Sequence, residues 1–152
     1  MTFSIKKRMF ISKERKFDNI KRYVRIIDDF VFRLKRQGCG CNVRGYGASY
    51  YDNHTKTFDP VGLVLGFDAI RKHFGVISAE DQKPLIIKLS RKYGVNIETD
   101  KEYASFVVFM QHLQDIHDFS FDEYYRVVGD RFDNYLNEMS LIRQKILKES
   151  HV

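Results

Sequence analysis

The chain has 152 residues, a mass of 18.1 kDa and a formal net charge of +6. Hydrophobic residues make up 43% and charged residues 30%, as in folded globular proteins, and two prolines and nine glycines exclude collagen-like and low-complexity chains. The length predicts one domain over residues 1–152, and no apolar run approaches the ~20 residues that cross a bilayer. Two cysteines, with no long apolar segment at the N-terminus, favour the reducing cytoplasm.

Positive charge is concentrated in the N-terminal third of the chain. Residues 1–45 carry 13 Lys and Arg against 4 Asp and Glu, a net +9, whereas the remaining residues carry 13 against 16, a net −3. This asymmetry favours a polyanion or an acidic protein surface as the partner. The alternative is a solvated face that only keeps the protein soluble.

The first predicted helix covers residues 13–37, with Ser12 as its N-cap and Gly38 just after its end. Its apolar residues recur at steps of three and four and form one stripe, namely Phe17, Ile20, Val24, Ile27, Val31 and Leu34. Residues 1–11 are predicted to form a basic arm or an edge strand, so that the helical body covers residues 12–152.

A segment rich in Gly and Tyr follows this helix. Four glycines between residues 38 and 47 oppose a stable helix. Asp52 and Asn53 are residue types that favour a turn, and they lie between two runs of residues that tolerate β-structure. We therefore expect a loop or a small β-hairpin near residues 40–58.

The next helix is predicted from Asp59-Pro60, which suit the N-cap and the first helical position. It should reach residues 73–74. Within it, Gly62 and Gly66 lie four residues apart on one face, a spacing that permits a close backbone approach.

Three later segments resemble N-terminal capping boxes, at residues 78–81, 99–102 and 120–123. The first predicts a helix that ends at Tyr93. Pro84 should either kink this helix or lie in its first turn. The last predicts a helix with apolar residues in heptad spacing, namely Phe121, Tyr125, Val128, Phe132, Tyr135, Met139, Ile142 and Ile146. This stripe either packs inside the chain or forms a homodimer. The expected fold is mainly α, with about five helices, two of them long.

Cys39, Cys41 and His54 are candidates for a thiol or metal site, because thiolates and imidazole can bind zinc. A closed zinc site needs four ligands, and no second cysteine pair accompanies these residues, so no metal or other cofactor is expected. His112 and His117 are five residues apart, which does not place two ligands on one helix face. Both are expected to be exposed polar residues.

The basic cluster near the N-terminus is the main candidate for partner binding. It contains one acid, Glu14, and six cations, namely Lys6, Lys7, Arg8, Lys13, Arg15 and Lys16. Arg44, Tyr46, Tyr50 and Tyr51 are expected to extend this surface, where the tyrosines either stack on bases or cover the core. Lys and Arg would contact the phosphates of a nucleic acid whatever its base sequence. No helix-turn-helix, zinc-finger or ribonucleoprotein signature accompanies them.

The order of several short stretches resembles a family of small uncharacterised bacterial and phage proteins with no established activity. The pattern is a basic helix ending in Gly, a small-residue loop with a turn, a second helix, and an Asp before a capped helix. The matching stretches are Arg36-Gln37-Gly38, Gly45-Tyr46-Gly47-Ala48, Asp52-Asn53, Val61-Gly62-Leu63-Val64-Leu65, and His117-Asp118 before Phe121-Asp122-Glu123. The Trp expected near the loop is absent, as is the Cys that opens the second helix. The resemblance implies one mostly helical domain and transfers no catalytic residue.

The leading hypothesis is a non-enzymatic binding or regulatory protein that engages an acidic protein partner through its basic N-terminal surface. Its small size, its lack of enzymatic motifs and the resemblance together favour a phage-encoded protein. The first alternative is a nucleic-acid-binding protein that uses the same surface. The second is a small thiol or metal protein centred on Cys39, Cys41 and His54.

Overall fold

The computed structural model describes residues 2–41, 50–52, 55–71, 79–121 and 130–149, and for residues 2–17 and 79–81 it describes the backbone alone. These residues form six α-helices and one two-stranded hairpin, which confirms the expectation of a mainly α fold with a small hairpin. In chain order the elements are α1 (Thr2–Gln37), β1 (Tyr51–Asp52), β2 (Thr57–Phe58), α2 (Pro60–Leu65), α3 (Phe67–Ile70), α4 (Ala79–Tyr93), α5 (Asp100–Phe121) and α6 (Arg131–Glu149).

Helix α1 is longer than the sequence signals indicate. It has 36 residues, about 54 Å at 1.5 Å per residue, and it includes residues 2–11, for which the prediction of an arm or an edge strand was wrong. Ser12 lies inside the helix, because extending a formed helix is easier than starting a new one and this segment contains no Pro or Gly. The predicted end is confirmed: Gly38, at φ 89°, donates its N–H to the Leu34 carbonyl over 2.9 Å.

The hairpin pairs Tyr51 with Phe58 and Asp52 with Thr57 in antiparallel register. The Thr55 hydroxyl donates to the Asp52 carboxylate over 2.9 Å, which fixes the turn side of the strand pair. The hairpin therefore lies within the segment predicted for it.

The single helix predicted from Pro60 to residues 73–74 is instead two short helices, because the chain breaks at Gly66. Gly66 has φ 85° and ψ 163°, a conformation that favours glycine, and it separates α2 from α3. The predicted cap is confirmed, since a carboxylate oxygen of Asp59 accepts the Gly62 N–H over 2.7 Å. The predicted close approach is made by Gly62, where a Cβ atom would lie 2.5 Å from the Tyr50 carbonyl oxygen.

Helices α4 and α5 begin and end near their local signals. α4 runs to Tyr93 with Pro84 inside it, and Gly94 follows at φ 70°. The capping box of α5 is formed: the Glu102 N–H donates to the Thr99 hydroxyl over 3.1 Å, and that hydroxyl donates to the Glu102 carboxylate over 3.2 Å.

The predicted start of the last helix near Ser120 was wrong. α5 continues through Phe121, and α6 begins at Arg131 after Asp130, whose carboxylate accepts the Phe132 N–H over 2.7 Å. Of the predicted heptad stripe, Tyr125 and Val128 lie outside the described residues. Five members lie on α6, namely Phe132, Tyr135, Met139, Ile142 and Ile146.

The core lies where α1, α5 and α6 meet. α6 packs along both α5 and α1, and α1 also packs on α2. The Tyr23 ring of α1 stacks on the Phe109 ring of α5, with centroids 4.1 Å apart and planes 5° apart. Large, fully buried side chains of these helices include Ile26, Ile27, Phe30, Leu34, Phe106, Leu113, Tyr135 and Met139. Most of the stripe of α6 is thus covered within a single chain.

Candidate functional site

The predicted basic cluster lies on the N-terminal half of α1. The backbone of all six positions is helical, and their side chains lie outside the described residues. A helix advances about 100° per residue, so the positions from Lys6 to Lys16 are distributed around the helix axis instead of following one line. The six positions therefore do not share one face of the helix.

The C-terminal half of α1 presents a cationic face that the structure describes in full. Four exposed residues follow one side of the helix and are called the α1 strip, namely Arg22, Arg25, Phe32 and Arg36. Asp18, also exposed, is the acid at one end of this side. Phe32 is 61% exposed, an uncommon state for an aromatic side chain, between the arginines of the strip.

The other two acids of this half of α1 are held in ion pairs. Asp29 accepts a hydrogen bond of 2.9 Å from Arg33, as its spacing favours, and one of 2.5 Å from the Tyr93 hydroxyl of α4. Asp28 receives two hydrogen bonds of 2.8 and 3.3 Å from Arg143 of α6. Their negative charge is thus compensated by internal partners, and the cations of the α1 strip are left to dominate the surface.

Two further cations bind backbone carbonyl groups at the end of α2. Arg33 and Lys92 donate to the carbonyls of Leu63 and Val64 over 3.3 and 3.2 Å. The last carbonyls of a helix lack partners within it and carry partial negative charge, which explains both contacts. We therefore do not count Arg33 and Lys92 among the residues available to a partner.

Of the four loop residues predicted to extend the basic surface, the structure describes two. Tyr50 is buried and belongs to the core, so it cannot stack on a base. Tyr51 is half-buried, and its ring lies 4.7 Å from that of Phe58. Arg44 and Tyr46 lie outside the described residues.

A buried polar cluster joins α2 to α5. The Asp59 carboxylate is completely buried, and besides capping α2 it accepts a hydrogen bond of 2.5 Å from Gln114 of α5. Burial raises its pKa to about 6, against the opposing effect of the hydrogen bonds from Gly62 and Gln114. This carboxylate is therefore a titratable group inside the core.

His117 was predicted to be exposed, and that prediction was wrong, whereas His112 is exposed as expected. The His117 ring is completely buried, and its Nε2 accepts the Cys41 backbone N–H over 3.1 Å. Its Nδ1 therefore carries the proton and donates to Asp118 over 3.0 Å. A sequence signal for burial existed, since His117 follows Leu113 by four residues on the apolar side of α5.

The thiol and metal alternative finds little chemical basis in the described residues. Cys41 is buried, and this burial, with the negative charges of Asp59, Asp52 and Asp118, raises the pKa of its thiol to about 12. Such a thiol is protonated at neutral pH and is not an activated nucleophile. No group of three or more His, Cys, Asp or Glu side chains among the described residues is arranged to hold a metal ion. His54 lies outside them.

We expect the two cysteines to differ strongly in reactivity. In the native protein at pH 7, a maleimide should label the exposed Cys39 rapidly and Cys41 only after unfolding, because the Cys41 thiol is both covered and protonated. Mass spectrometry of Cys39→Ser and Cys41→Ser variants measures each rate separately. Rapid native labelling of Cys41 would contradict its placement in the core.

None of the described helices is sufficiently long and apolar to span a bilayer. Comparisons with protein-family models, curated proteins and solved structures found no match to this chain.

Proposed function

We propose that this protein is a non-enzymatic binding protein, of a regulatory type, that engages an acidic protein partner through the basic surface of α1. The observation that carries the proposal is the distribution of charge along this helix. Asp28 and Asp29 are compensated by internal ion pairs, whereas Arg22, Arg25 and Arg36 are exposed. α1 contains 12 Lys and Arg against 4 Asp and Glu, a net charge of +8 that attracts a negatively charged partner.

The exposed aromatic residue of the α1 strip favours a protein over a nucleic acid as the partner. Phe32 lies among arginines, and an aromatic anchor surrounded by Arg is the composition that dominates the binding energy of protein interfaces. Contacts to the phosphates of a nucleic acid duplex would need the cations but would gain less from a phenyl ring at this position. We place the interaction in the cytoplasm, where two free cysteines persist.

The proposal is tested by comparing variants that lose cations at different places on the protein. Capture of partners from a cell lysate should weaken by roughly tenfold or more when Arg22, Arg25 and Arg36 are replaced by Gln. Replacement of the six cations of the N-terminal cluster should have a similar effect. The matched control replaces Lys101, Lys145 and Lys148 by Gln, which are exposed and lie on α5 and α6, and it should retain capture.

Two results would contradict the proposal. Equal capture by the α1 and control variants would show that the α1 surface is not the binding site. Loss of all capture after nuclease treatment of the lysate would identify a nucleic acid as the partner instead of a protein.

A further inference from the structure

The outer face of α4 forms a shallow groove with cationic edges. A space of about 450 Å³ is lined by Lys83, Pro84, Ile87, Lys88 and Arg91. Pro84 and Ile87 give it an apolar floor, and the three cations flank that floor. No acid is among the described side chains that line it.

One edge of the groove contacts a neighbouring helix. The ammonium group of Lys83 lies 5.2 Å from the centre of the Tyr103 ring of α5, a cation–π contact that orients it. At the other end, Gly94 follows α4, and the guanidinium carbon of Arg22 lies 3.6 Å from the position of a Cβ on Gly94. Arg22 of the α1 strip therefore lies close to the end of α4.

We propose that this groove binds an acidic amphipathic helix of the partner protein, an inference that rests on the proposed function. The partner's apolar side chains cover Pro84 and Ile87, and its carboxylates pair with Lys83, Lys88 and Arg91. The cations extend over nine residues of α4, a rise of about 12 Å from Lys83 to Arg91, which matches carboxylates spaced over two turns of a second helix. A polyanion without apolar groups would leave Ile87 uncovered, which is why we infer an amphipathic segment instead of a nucleic acid.

The test uses the full chain, labelled with ¹⁵N, and a synthetic peptide of about 18 residues with Leu and Glu at helical spacing. The peptide should shift the amide signals of residues 83–91 and of Arg22. A scrambled peptide of the same composition should bind roughly tenfold more weakly, because its apolar and acidic groups do not share faces. Equal binding of the two peptides, or no shifts in α4 at about 1 mM peptide, would overturn the proposal.

Charge reversal distinguishes this groove from the α1 strip. The double variant K88E/R91E should lose the peptide, whereas K145E/K148E on α6 should retain it; circular dichroism shows whether each is folded.

If K88E/R91E still binds the patterned peptide, the groove proposal fails. If it also retains partner capture that the α1 variants lose, the proposed function stands without the groove. If the α1 variants retain partner capture while the peptide depends on the groove, the proposed function fails and the groove remains.

Discussion

Replacing Gly62 by Ala is expected to destabilise the protein by about 3 kcal/mol, the upper part of the range for overpacked sites. Ala alone would favour a helix over Gly by about 1 kcal/mol, so local propensity predicts the opposite sign. The steric clash outweighs the helix preference of Ala, because the new Cβ would lie 2.5 Å from the Tyr50 carbonyl oxygen and 2.9 Å from a ring carbon of Phe58. A backbone oxygen cannot move aside without displacing the segment that leads into the hairpin.

Urea unfolding of Gly62→Ala and of the control Gly38→Ala measures this effect. Gly38 has φ 89° with open space around its Cβ position, so its replacement should cost only about 1 kcal/mol of backbone strain. A Gly62→Ala variant as stable as the wild type would show that α2 does not approach Tyr50 this closely.

Acidification from about pH 7 to about pH 5 is expected to stabilise the wild-type protein, relative to Asp59→Asn, by about 1–2 kcal/mol. The sign follows from the pKa of Asp59, which burial raises from 3.8 to about 6 in the folded protein. Between these two pH values the folded state binds a proton that the unfolded state does not. The stabilisation is therefore absent at neutral pH, appears as the pH falls through 6, and is complete below the unfolded value of 3.8.

The variant Asp59→Asn isolates this contribution, because Asn retains an acceptor for the Gly62 N–H and does not titrate. Its Nδ2 would face the side chain of Gln114, which can present its oxygen by rotating the amide. The free energy of unfolding of both proteins is measured at pH 5, 6 and 7. Parallel pH profiles would contradict a raised pKa at Asp59.

Local signals determined those boundaries that depend on a few neighbouring residues. Gly38 and Gly94 end α1 and α4, Thr99 and Glu102 cap α5, and Asp59 caps α2. Each of these acts through hydrogen bonds or backbone angles within about four residues. Such contacts form wherever the pattern occurs at a helix end, so the sequence is sufficient to predict them.

The same kind of pattern gave wrong boundaries where tertiary contacts use the capping residue differently. Ser120 resembles an N-cap, but its hydroxyl accepts a hydrogen bond of 3.0 Å from Asn134 of α6, and α5 continues past it. Ser12 is likewise inside α1. A capping sequence is therefore permitted within a helix and does not by itself start a new one.

The sequence alone established that the chain is mainly helical and that its N-terminal third is basic, because both follow from composition and periodicity. It could not establish which cations remain for a partner. Asp28 pairs with Arg143, 115 residues away, and Asp59 lies beside Gln114 and His117 of a later helix. Only the packing of α1 on α6 and of α2 near α5 brings these groups together. That packing decides which charges are paired within the chain and which remain for a partner.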